Sequence, residues 1–292
     1  MKNSTELELT DHSVNDVHEN AVTQFIEANG TMFAYRTFGS MESEPLLFLQ
    51  HFTGTMDDWD PTITNGFARH FKVILFDNKG IGASGGETPD TIQAMAQDAF
   101  SFMKALGLSK VNIMGFSMGG FIAQQMTLDA PNFIHKAILV GTGPRSSQGL
   151  ADIINPLTHA ASLSPREGKL FLFYSQSPIS RALGEASLSR INKRTIDRAP
   201  DTSGPSIQAQ LKSILEWAQP DIAVVERLNE MKQPTLVVNG NNDIMVPTIN
   251  SYMLFQHLPN AKLSLYPDSG HGSLFQYPKL FLNEAIPFLQ AP

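Results

Sequence analysis

The sequence of 292 residues contains no cysteine. Disulfides, thiolate nucleophiles and cysteine-type zinc sites are therefore excluded together, although the redox compartment stays open. Basic residues are also few, since 21 Lys and Arg stand against 28 Asp and Glu and give a formal net charge of −7. Phosphate binding needs concentrated Lys and Arg, and no block of them occurs. A nucleic-acid partner is therefore not expected.

Long apolar runs are missing as well. No run approaches the roughly 18 residues that a membrane-spanning helix needs. Residues 1–20 are polar and acidic, without the apolar stretch of a signal peptide. We therefore expect no membrane partner, a cytoplasmic location by default, and a flexible arm over residues 1–21. With 42% apolar residues, the remaining chain is long enough for a large packed core.

Short apolar segments alternate with helical patterns along the rest of the chain. Eight of them have the length and composition of strands, at 22–27, 32–38, 45–50, 72–77, 110–114, 137–140, 235–239 and 262–266. Asn29-Gly30 between the first two predicts an antiparallel hairpin. The alternation predicts an α/β fold, in which a mostly parallel eight-stranded sheet carries helices on both faces.

Three helices can be placed by their end signals. Asp57 or Asp58 is expected to cap a helix that runs to about residue 70. Thr91 caps the next one, which stops at Gly107. A last helix is expected over residues 273–289.

The strand pattern stops between about residues 144 and 220. Helical patterns at 170–174 and 206–218 alternate with prolines there, and the segment is too apolar for a linker. Ligands of such sheets bind at the carboxyl ends of the strands. We therefore expect a helical cap over residues 144–220 and a core formed by residues 22–143 and 221–292. A packing insertion without a role toward substrate is the alternative.

Residues 115–119 form the pattern G-x-S-x-G between a strand and a helix. In this pattern Ser117 occupies a sharp turn, and Gly115 and Gly119 are small because the strand and the helix nearly touch. Unpaired N–H groups at the helix start favour the negative charge that forms when a serine attacks a carbonyl. Ser117 is the candidate nucleophile, and the N–H of Met118 is a candidate donor to the oxyanion.

A serine hydroxyl needs a base to take its proton, and the base needs an acid to orient it. His271 lies in a loop of small residues directly after the last predicted strand, which favours it as the base. Asp77, Asp243 and Asp268 compete as the acid. Asp77 precedes the serine in the chain, and Asp268 is only three residues from His271, so Asp243 is preferred. The order Ser117, Asp243, His271 is that of the α/β-hydrolase arrangement.

The second oxyanion donor is expected in the loop that follows residue 50. Either Phe52 or Thr53 could supply it through its backbone N–H.

From about residue 22 onward the chain resembles the α/β-hydrolase fold superfamily. The motifs that carry this resemblance lie at 51–54, 77–84, 115–120, 240–243 and 269–272. The resemblance implies an α/β-hydrolase fold with Ser117 as nucleophile, His271 as general base and Asp243 as its partner. It also implies Thr53 and Met118 as the oxyanion donors. Phe52 stands where the family usually has glycine, so Phe52 stays open as the alternative donor.

These motifs predict a serine hydrolase that cleaves a small or medium carboxylic ester or lactone through an acyl-enzyme. The serine motif is similar to that of bacterial esterases and cofactor-free haloperoxidases, so a haloperoxidase or perhydrolase is an alternative on the same triad. A carbon–carbon bond hydrolase is another, and a ligand receptor with slow turnover is a third. The expected partner is a small-molecule substrate, and a homo-oligomer stays open.

No cofactor and no metal is expected. The histidines lack metal-ligand spacing. The glycines of residues 80–85 match a dinucleotide fingerprint, but no helix opens directly at them.

Overall fold

The computed structural model describes residues 17–292, which are built on a sheet of eight strands. In chain order the strands are β1 (Gln24–Ala28), β2 (Thr31–Gly39), β3 (Pro45–Leu49), β4 (Lys72–Phe76), β5 (Val111–Phe116), β6 (Ile134–Val140), β7 (Thr235–Gly240) and β8 (Ala261–Tyr266). Their spatial order is β1-β2-β4-β3-β5-β6-β7-β8. β2 runs antiparallel to β1 and β4, and the other neighbouring strands are parallel. The predicted mostly parallel eight-stranded sheet is confirmed.

Helices cover both faces of this sheet, which is why its inner strands are continuous apolar runs. The helices are α1 (Pro61–Ala68), α2 (Ile92–Ala105), α3 (Met118–Asp129), α4 (Ile154–Ala161), α5 (Pro165–Phe173), α6 (Pro178–Ile191), α7 (Gly204–Trp217), α8 (Ile222–Glu226), α9 (Ile249–His257), α10 (Ser273–Gln276) and α11 (Pro278–Gln290). Apolar residues of α2, α3 and α9 pack on one face, and those of α1, α10 and α11 on the other. Within residues 17–292, none of the helices has both the length and the apolar character needed to cross a bilayer.

The helix signals were correct at Thr91 and wrong at Asp57 and Asp58. The Thr91 side chain caps α2, and Gly107 follows its end in a left-handed conformation. By contrast, Thr55 caps a single 3-10 turn at Met56–Asp58, and Asp60 caps α1. Asp60 is the N-cap because the helix begins at Pro61, which has no N–H and therefore suits the first position of a helix.

The last helix is divided where the sequence suggested one continuous element. Tyr277 separates α10 from α11, and Pro278 opens the second of them. Because Pro278 has no N–H, it cannot extend the hydrogen bonding of α10.

Between β6 and β7, residues 144–220 form helices α4 to α7 and short turns. Pro165 and Pro178 open α5 and α6, and Pro205 lies in the first turn of α7. These prolines therefore start helices and do not merely separate them. At the end of α7, Trp217 stacks on Phe121 of α3 with ring centroids 5.2 Å apart. This stacking joins the insertion to the helix layer of the sheet.

A buried ion cluster also joins the insertion to the sheet. Arg36 of β2 places Nη1 2.6 Å from Oδ1 of Asp57. From the insertion, Arg194 places Nε 3.5 Å from the same oxygen, and the N–H of Ala199 donates to Oδ2 of Asp57 at 2.7 Å. Arg194 also pairs with Asp197, so the cluster holds two positive and two negative side chains.

Residues 17–21 are packed against the core beside this cluster. Arg194 donates to the backbone oxygens of His18 and Glu19 at 3.0 and 3.1 Å. The buried His18 places Nδ1 3.0 Å from the hydroxyl of Thr64, and burial lowers the pKa of His18 to about 4. His18 and Ala21, which lie within the expected arm of residues 1–21, are therefore buried. Residues 1–16 of the expected flexible arm lie outside the described residues.

Candidate active site

The turn between β5 and α3 holds Ser117 in a strained conformation, with φ 55° and ψ −120°. For a residue other than glycine such a backbone costs about 1–3 kcal/mol, so its surroundings must hold it. The N–H of Ser117 donates to the backbone oxygen of Val140 at 2.9 Å. The hydroxyl of Thr142 donates to the backbone oxygen of Ser117 at 2.9 Å. The end of β6 and the residues after it therefore fix the turn.

Two glycines allow the close approach of strand and helix at this turn. A Cβ atom on Gly119 would lie 2.0 Å from the backbone oxygen of Leu49. One on Gly115 would lie 2.4 Å from the backbone oxygen of Gly119. Both distances are shorter than any real contact of a Cβ atom, and the atoms met belong to the backbone. The predicted reason for small residues at 115 and 119 is confirmed.

His271 lies in the loop between β8 and α10, with its ring against the serine turn. A Cβ atom on Gly141 would lie 3.1 Å from Nδ1 of His271 and 3.1 Å from the ring of Phe116. Gly141 itself stands between Val140 and Thr142, the two residues that hold Ser117. The rings of Phe116 and His271 have centroids 5.0 Å apart. The fold therefore brings residues 117 and 271 to the same rim of the sheet.

Asp243 follows β7 and contacts the imidazole of His271. Its Oδ1 accepts the N–H groups of Met245 and Val246 at 2.8 and 2.9 Å. Its Oδ2 is thereby left to face Nδ1 of His271 at 2.8 Å. Because the carboxylate holds Nδ1, a neutral His271 carries its proton there and presents Nε2 as the acceptor.

The two competing carboxylates are engaged elsewhere. Asp77 accepts the N–H groups of Met56 and Ala83 at 2.8 and 3.0 Å, and burial raises the pKa of Asp77 to about 6. Asp268 accepts hydrogen bonds from the hydroxyls of Ser175 and Ser177, which lower its pKa. Neither is bonded to His271 in the described chain.

All three residues are buried: Ser117 and Asp243 are each 6% exposed, and His271 is 1% exposed. Among residues 17–292, the hydroxyl of Ser117 and the ring of His271 form no hydrogen bond to each other. Hydrogen bonds between catalytic groups are often loose before substrate binds and tighten in the complex. The side chain of Ser117 is therefore both buried and without a hydrogen bond to His271 in this structure.

The two expected oxyanion donors differ in their surroundings. Met118 is the first residue of α3, so its N–H lies at the helix start and has no partner within the helix. Thr53 adopts a left-handed conformation with φ 64°. Its N–H donates to Oε1 of Gln210 in α7 at 2.8 Å, whereas the N–H of Phe52 makes no hydrogen bond within the described chain. The N–H of Thr53 thus already has a hydrogen-bond acceptor within the protein.

Gln210 was missed by the sequence analysis, although a signal for it exists. The buried residues of α7 follow a helical stripe that includes Ser206, Gln210, Ser213 and Trp217. A glutamine on the buried stripe of an amphipathic helix must find polar partners. That signal indicates a buried polar contact but not its partner, because Gln210 and Thr53 are 157 residues apart.

His51, the first residue of the loop with Phe52, belongs to the wall of the site. Its ring packs between Phe116 and Phe173, with centroids at 5.4 and 5.3 Å. Its Nδ1 lies 2.7 Å from the backbone oxygen of Phe52. Burial lowers the pKa of His51 to about 4, so this side chain is neutral near pH 7.

The glycines of residues 80–85 close a turn instead of opening a helix. The N–H of Gly80 donates to the backbone oxygen of Gly85 at 2.9 Å. A Cβ atom on Gly82 would lie 2.2 Å from the carboxylate of Asp77. Within residues 17–292 no group of three or more His, Asp or Glu side chains is arranged to hold a metal ion.

Comparisons with known proteins extend these observations. The family model described as alpha/beta hydrolase fold matches residues 44–278. An alpha/beta hydrolase fold protein from Chitinophaga pinensis has a solved structure with a TM-score of 0.92 and 45% identity, covering 95% of this chain and 100% of that chain. A Rhizobium rhizogenes protein provisionally named carbamate hydrolase RutD is 29% identical over 245 residues, 82% of this chain and 89% of its own length. A Mycobacterium tuberculosis protein provisionally named non-heme bromoperoxidase BpoC is 25% identical over 245 residues, 81% of this chain and 90% of its own length.

Proposed function

The chain is an enzyme of the alpha/beta hydrolase fold family, and on that premise we propose that it is a serine hydrolase of small or medium carboxylic esters or lactones. Ser117 is the nucleophile, His271 the general base and Asp243 its orienting partner. The N–H groups of Met118 and Thr53 are the oxyanion donors. The reaction needs no cofactor, because the serine supplies the nucleophile and the histidine carries the proton.

Acylation begins when the Ser117 hydroxyl attacks the ester carbonyl carbon. As the new carbon–oxygen bond forms, the hydroxyl proton passes to Nε2 of His271, and Asp243 stabilises the resulting imidazolium. The carbonyl oxygen gains the negative charge and accepts the two oxyanion N–H groups. The bond to the leaving oxygen then breaks, and His271 returns its proton to that oxygen. An alcohol leaves, and the acyl group stays on Ser117.

Deacylation repeats these steps with water. His271 takes a proton from water as it attacks the acyl carbon, and then gives that proton to the oxygen of Ser117. The products are a carboxylic acid and the free enzyme. For a lactone both products are one molecule, because the leaving alcohol is part of the acyl chain.

The observation that carries this proposal is the contact of 2.8 Å between Nδ1 of His271 and Oδ2 of Asp243, beside the serine turn. It favours the tautomer that the base requires, and Nε2 makes no hydrogen bond to any described residue. The strain at Ser117 supports it, because backbone strain concentrates at functional sites.

Residues 144–220 are the cap of this enzyme in our proposal. The buried position of Ser117, Asp243 and His271 supports a cap that must open for a small-molecule substrate. The cap also shapes the pocket, so the choice of substrate depends on its residues.

The test is hydrolysis of p-nitrophenyl acetate and butyrate by Ser117→Ala. We expect kcat to fall by about a thousandfold or more, since the oxyanion donors alone leave little catalysis. Ser146→Ala is the matched control, because Ser146 also has a positive φ of 66° but lies outside the site. A folded Ser117→Ala protein with unchanged turnover would refute the nucleophile.

A perhydrolase is the second candidate, supported by the relative named as a non-heme bromoperoxidase. In that reaction hydrogen peroxide replaces water as the acceptor of the acyl group and a peroxy acid forms. Turnover measured with both acceptors separates the two functions. If the acyl group passes to peroxide in preference to water at the same ester concentration, the perhydrolase is supported.

A further inference from the structure

Gln210 is fully buried on α7, and its side-chain oxygen Oε1 accepts the N–H of Thr53 at 2.8 Å. The orientation of the amide is fixed by chemistry, because Nε2 in that position would place two donors against each other. An oxyanion donor must lie about 2.7–3.1 Å from the oxygen that it stabilises. With Thr53 as the proposed oxyanion donor, Oε1 of Gln210 occupies the position that a substrate oxygen would take at Thr53.

The other end of the same amide has no partner. Nε2 of Gln210 is buried and makes no hydrogen bond within residues 17–292. Buried donors are almost always paired, and an unpaired one destabilises the state that contains it. A ligand with an oxygen at this place would pair it.

Two hydrogen bonds hold the start of the helix that carries Gln210. Near its start, the hydroxyl of Ser206 donates to the backbone oxygen of Gly80 at 2.9 Å. Thr202, just before the helix, donates through its hydroxyl to the backbone oxygen of Thr53 at 2.7 Å. The start of α7 is therefore tied to the loops that hold Gly80 and Thr53, and we take the displacement of Oε1 from Thr53 to be a rotation of the Gln210 side chain.

We infer that Gln210 is a specificity-determining residue that selects esters with a second hydrogen-bond acceptor close to the scissile carbonyl. This inference rests on the proposed function, because it takes Thr53 as an oxyanion donor. A substrate carbonyl that binds Thr53 must displace Oε1 of Gln210, and the amide stays buried afterwards. A simple alkyl ester leaves both ends of the amide unpaired. In an ester with a neighbouring keto group, the keto oxygen accepts a hydrogen bond from Nε2, and this bond offsets the one lost between Oε1 and Thr53.

The experiment compares ethyl butyrate with ethyl acetoacetate, which differ by one keto oxygen beside the ester group. In Gln210→Met the side chain keeps its length but can neither accept the N–H of Thr53 nor donate a hydrogen bond to the substrate. We expect kcat/KM to rise for ethyl butyrate and to fall for ethyl acetoacetate, so that their ratio changes by roughly tenfold or more. The intrinsic reactivity of the two esters cancels when this ratio is compared with that of the unchanged protein.

Gln208→Met is the matched control, because Gln208 is exposed on the same helix. It should leave the ratio unchanged. Should Gln210→Met not fold, Gln210→Asn serves instead, since its shorter amide cannot reach Thr53 and the butyrate rate should rise.

A ratio that stays constant while both rates fall together would overturn the inference and assign Gln210 to packing alone. That outcome leaves the proposed function standing, because the unchanged protein still hydrolyses both esters. If neither the unchanged protein nor the Gln208→Met control hydrolyses either ester or p-nitrophenyl butyrate, the proposed function fails and the inference fails with it.

Discussion

Asp57→Asn removes the central charge of the buried cluster that joins the insertion to the sheet. The Asp57 carboxylate is 1% exposed and pairs with Arg36, which is also 1% exposed, and with Arg194, which is 3% exposed. Asparagine keeps the shape and one oxygen but loses the charge. Among the described residues, Arg194 then pairs only with Asp197, whose side chain is 51% exposed, and Arg36 keeps no carboxylate partner.

The expected loss of stability follows from this burial. Removing one partner of a buried ion pair costs about 3–5 kcal/mol, because the remaining charge stays buried without compensation. An exposed pair contributes only about 0–1 kcal/mol. Since a folded chain is stable by about 5–15 kcal/mol, the variant should lose a large share of the total. Its Tm should fall by roughly 10 °C.

Equilibrium unfolding in urea measures this difference, with the buried Trp59 and Trp217 as fluorescent probes. Asp90→Asn is the matched control, because Asp90 pairs with Lys212 on the surface, where the side chains are 48% and 70% exposed. We expect the control to change the free energy of unfolding by less than about 1 kcal/mol. If Asp57→Asn loses no more than the control, the cluster does not hold the insertion as argued.

Two further predictions concern acid and backbone packing. The folded pKa of His18, about 4, lies below its ordinary value of 6.5, so the unfolded chain binds the proton more tightly and stability is lost as pH falls from 6.5 to 4. Between pH 7 and pH 5, His18→Gln should lessen the loss of unfolding free energy by about 2 kcal/mol. His159→Gln is the exposed control and should not lessen it. Equal dependence of the unfolding free energy on pH in the two variants would contradict this prediction. Gly119→Ala should cost more than about 3 kcal/mol and abolish ester hydrolysis, because its Cβ would lie 2.0 Å from the backbone oxygen of Leu49. Gly107→Ala, whose Cβ meets open space at a φ of 71°, should cost only about 1 kcal/mol, and similar losses in both variants by urea unfolding would refute the steric argument.

The serine turn could be read from the sequence because its geometry is local. Gly115, Ser117 and Gly119 lie within five residues, and the strain and close approach arise among them and the neighbouring strands β3 and β6. The pairing of Asp243 with His271 was also accessible, because parallel strands end at the same rim of a sheet. The catalytic roles of these residues stay a prediction that the variants above test.

Features that depend on the insertion could not be read in the same way. Asp57 has the spacing of a helix cap, yet its carboxylate is drawn to Arg36, which lies 21 residues away, and to Arg194 of the insertion. Gln210 reaches Thr53 only because α7 folds over the loop after β3. A periodic pattern locates the buried stripe of such a helix but does not say which loop it covers.

The end of α5 has a consequence for how this enzyme could change its substrate. The backbone oxygen of Phe173 accepts the N–H of Gly272, the residue next to His271, at 2.7 Å. Ser175 and Ser177 hold Asp268 on the other side of the same loop. The segment that would select the substrate thus also holds the loop of His271, the proposed general base. Grafting this segment from another member of the family would therefore disturb the chemistry along with the choice of substrate, unless the graft reproduces that one carbonyl and those two hydroxyls.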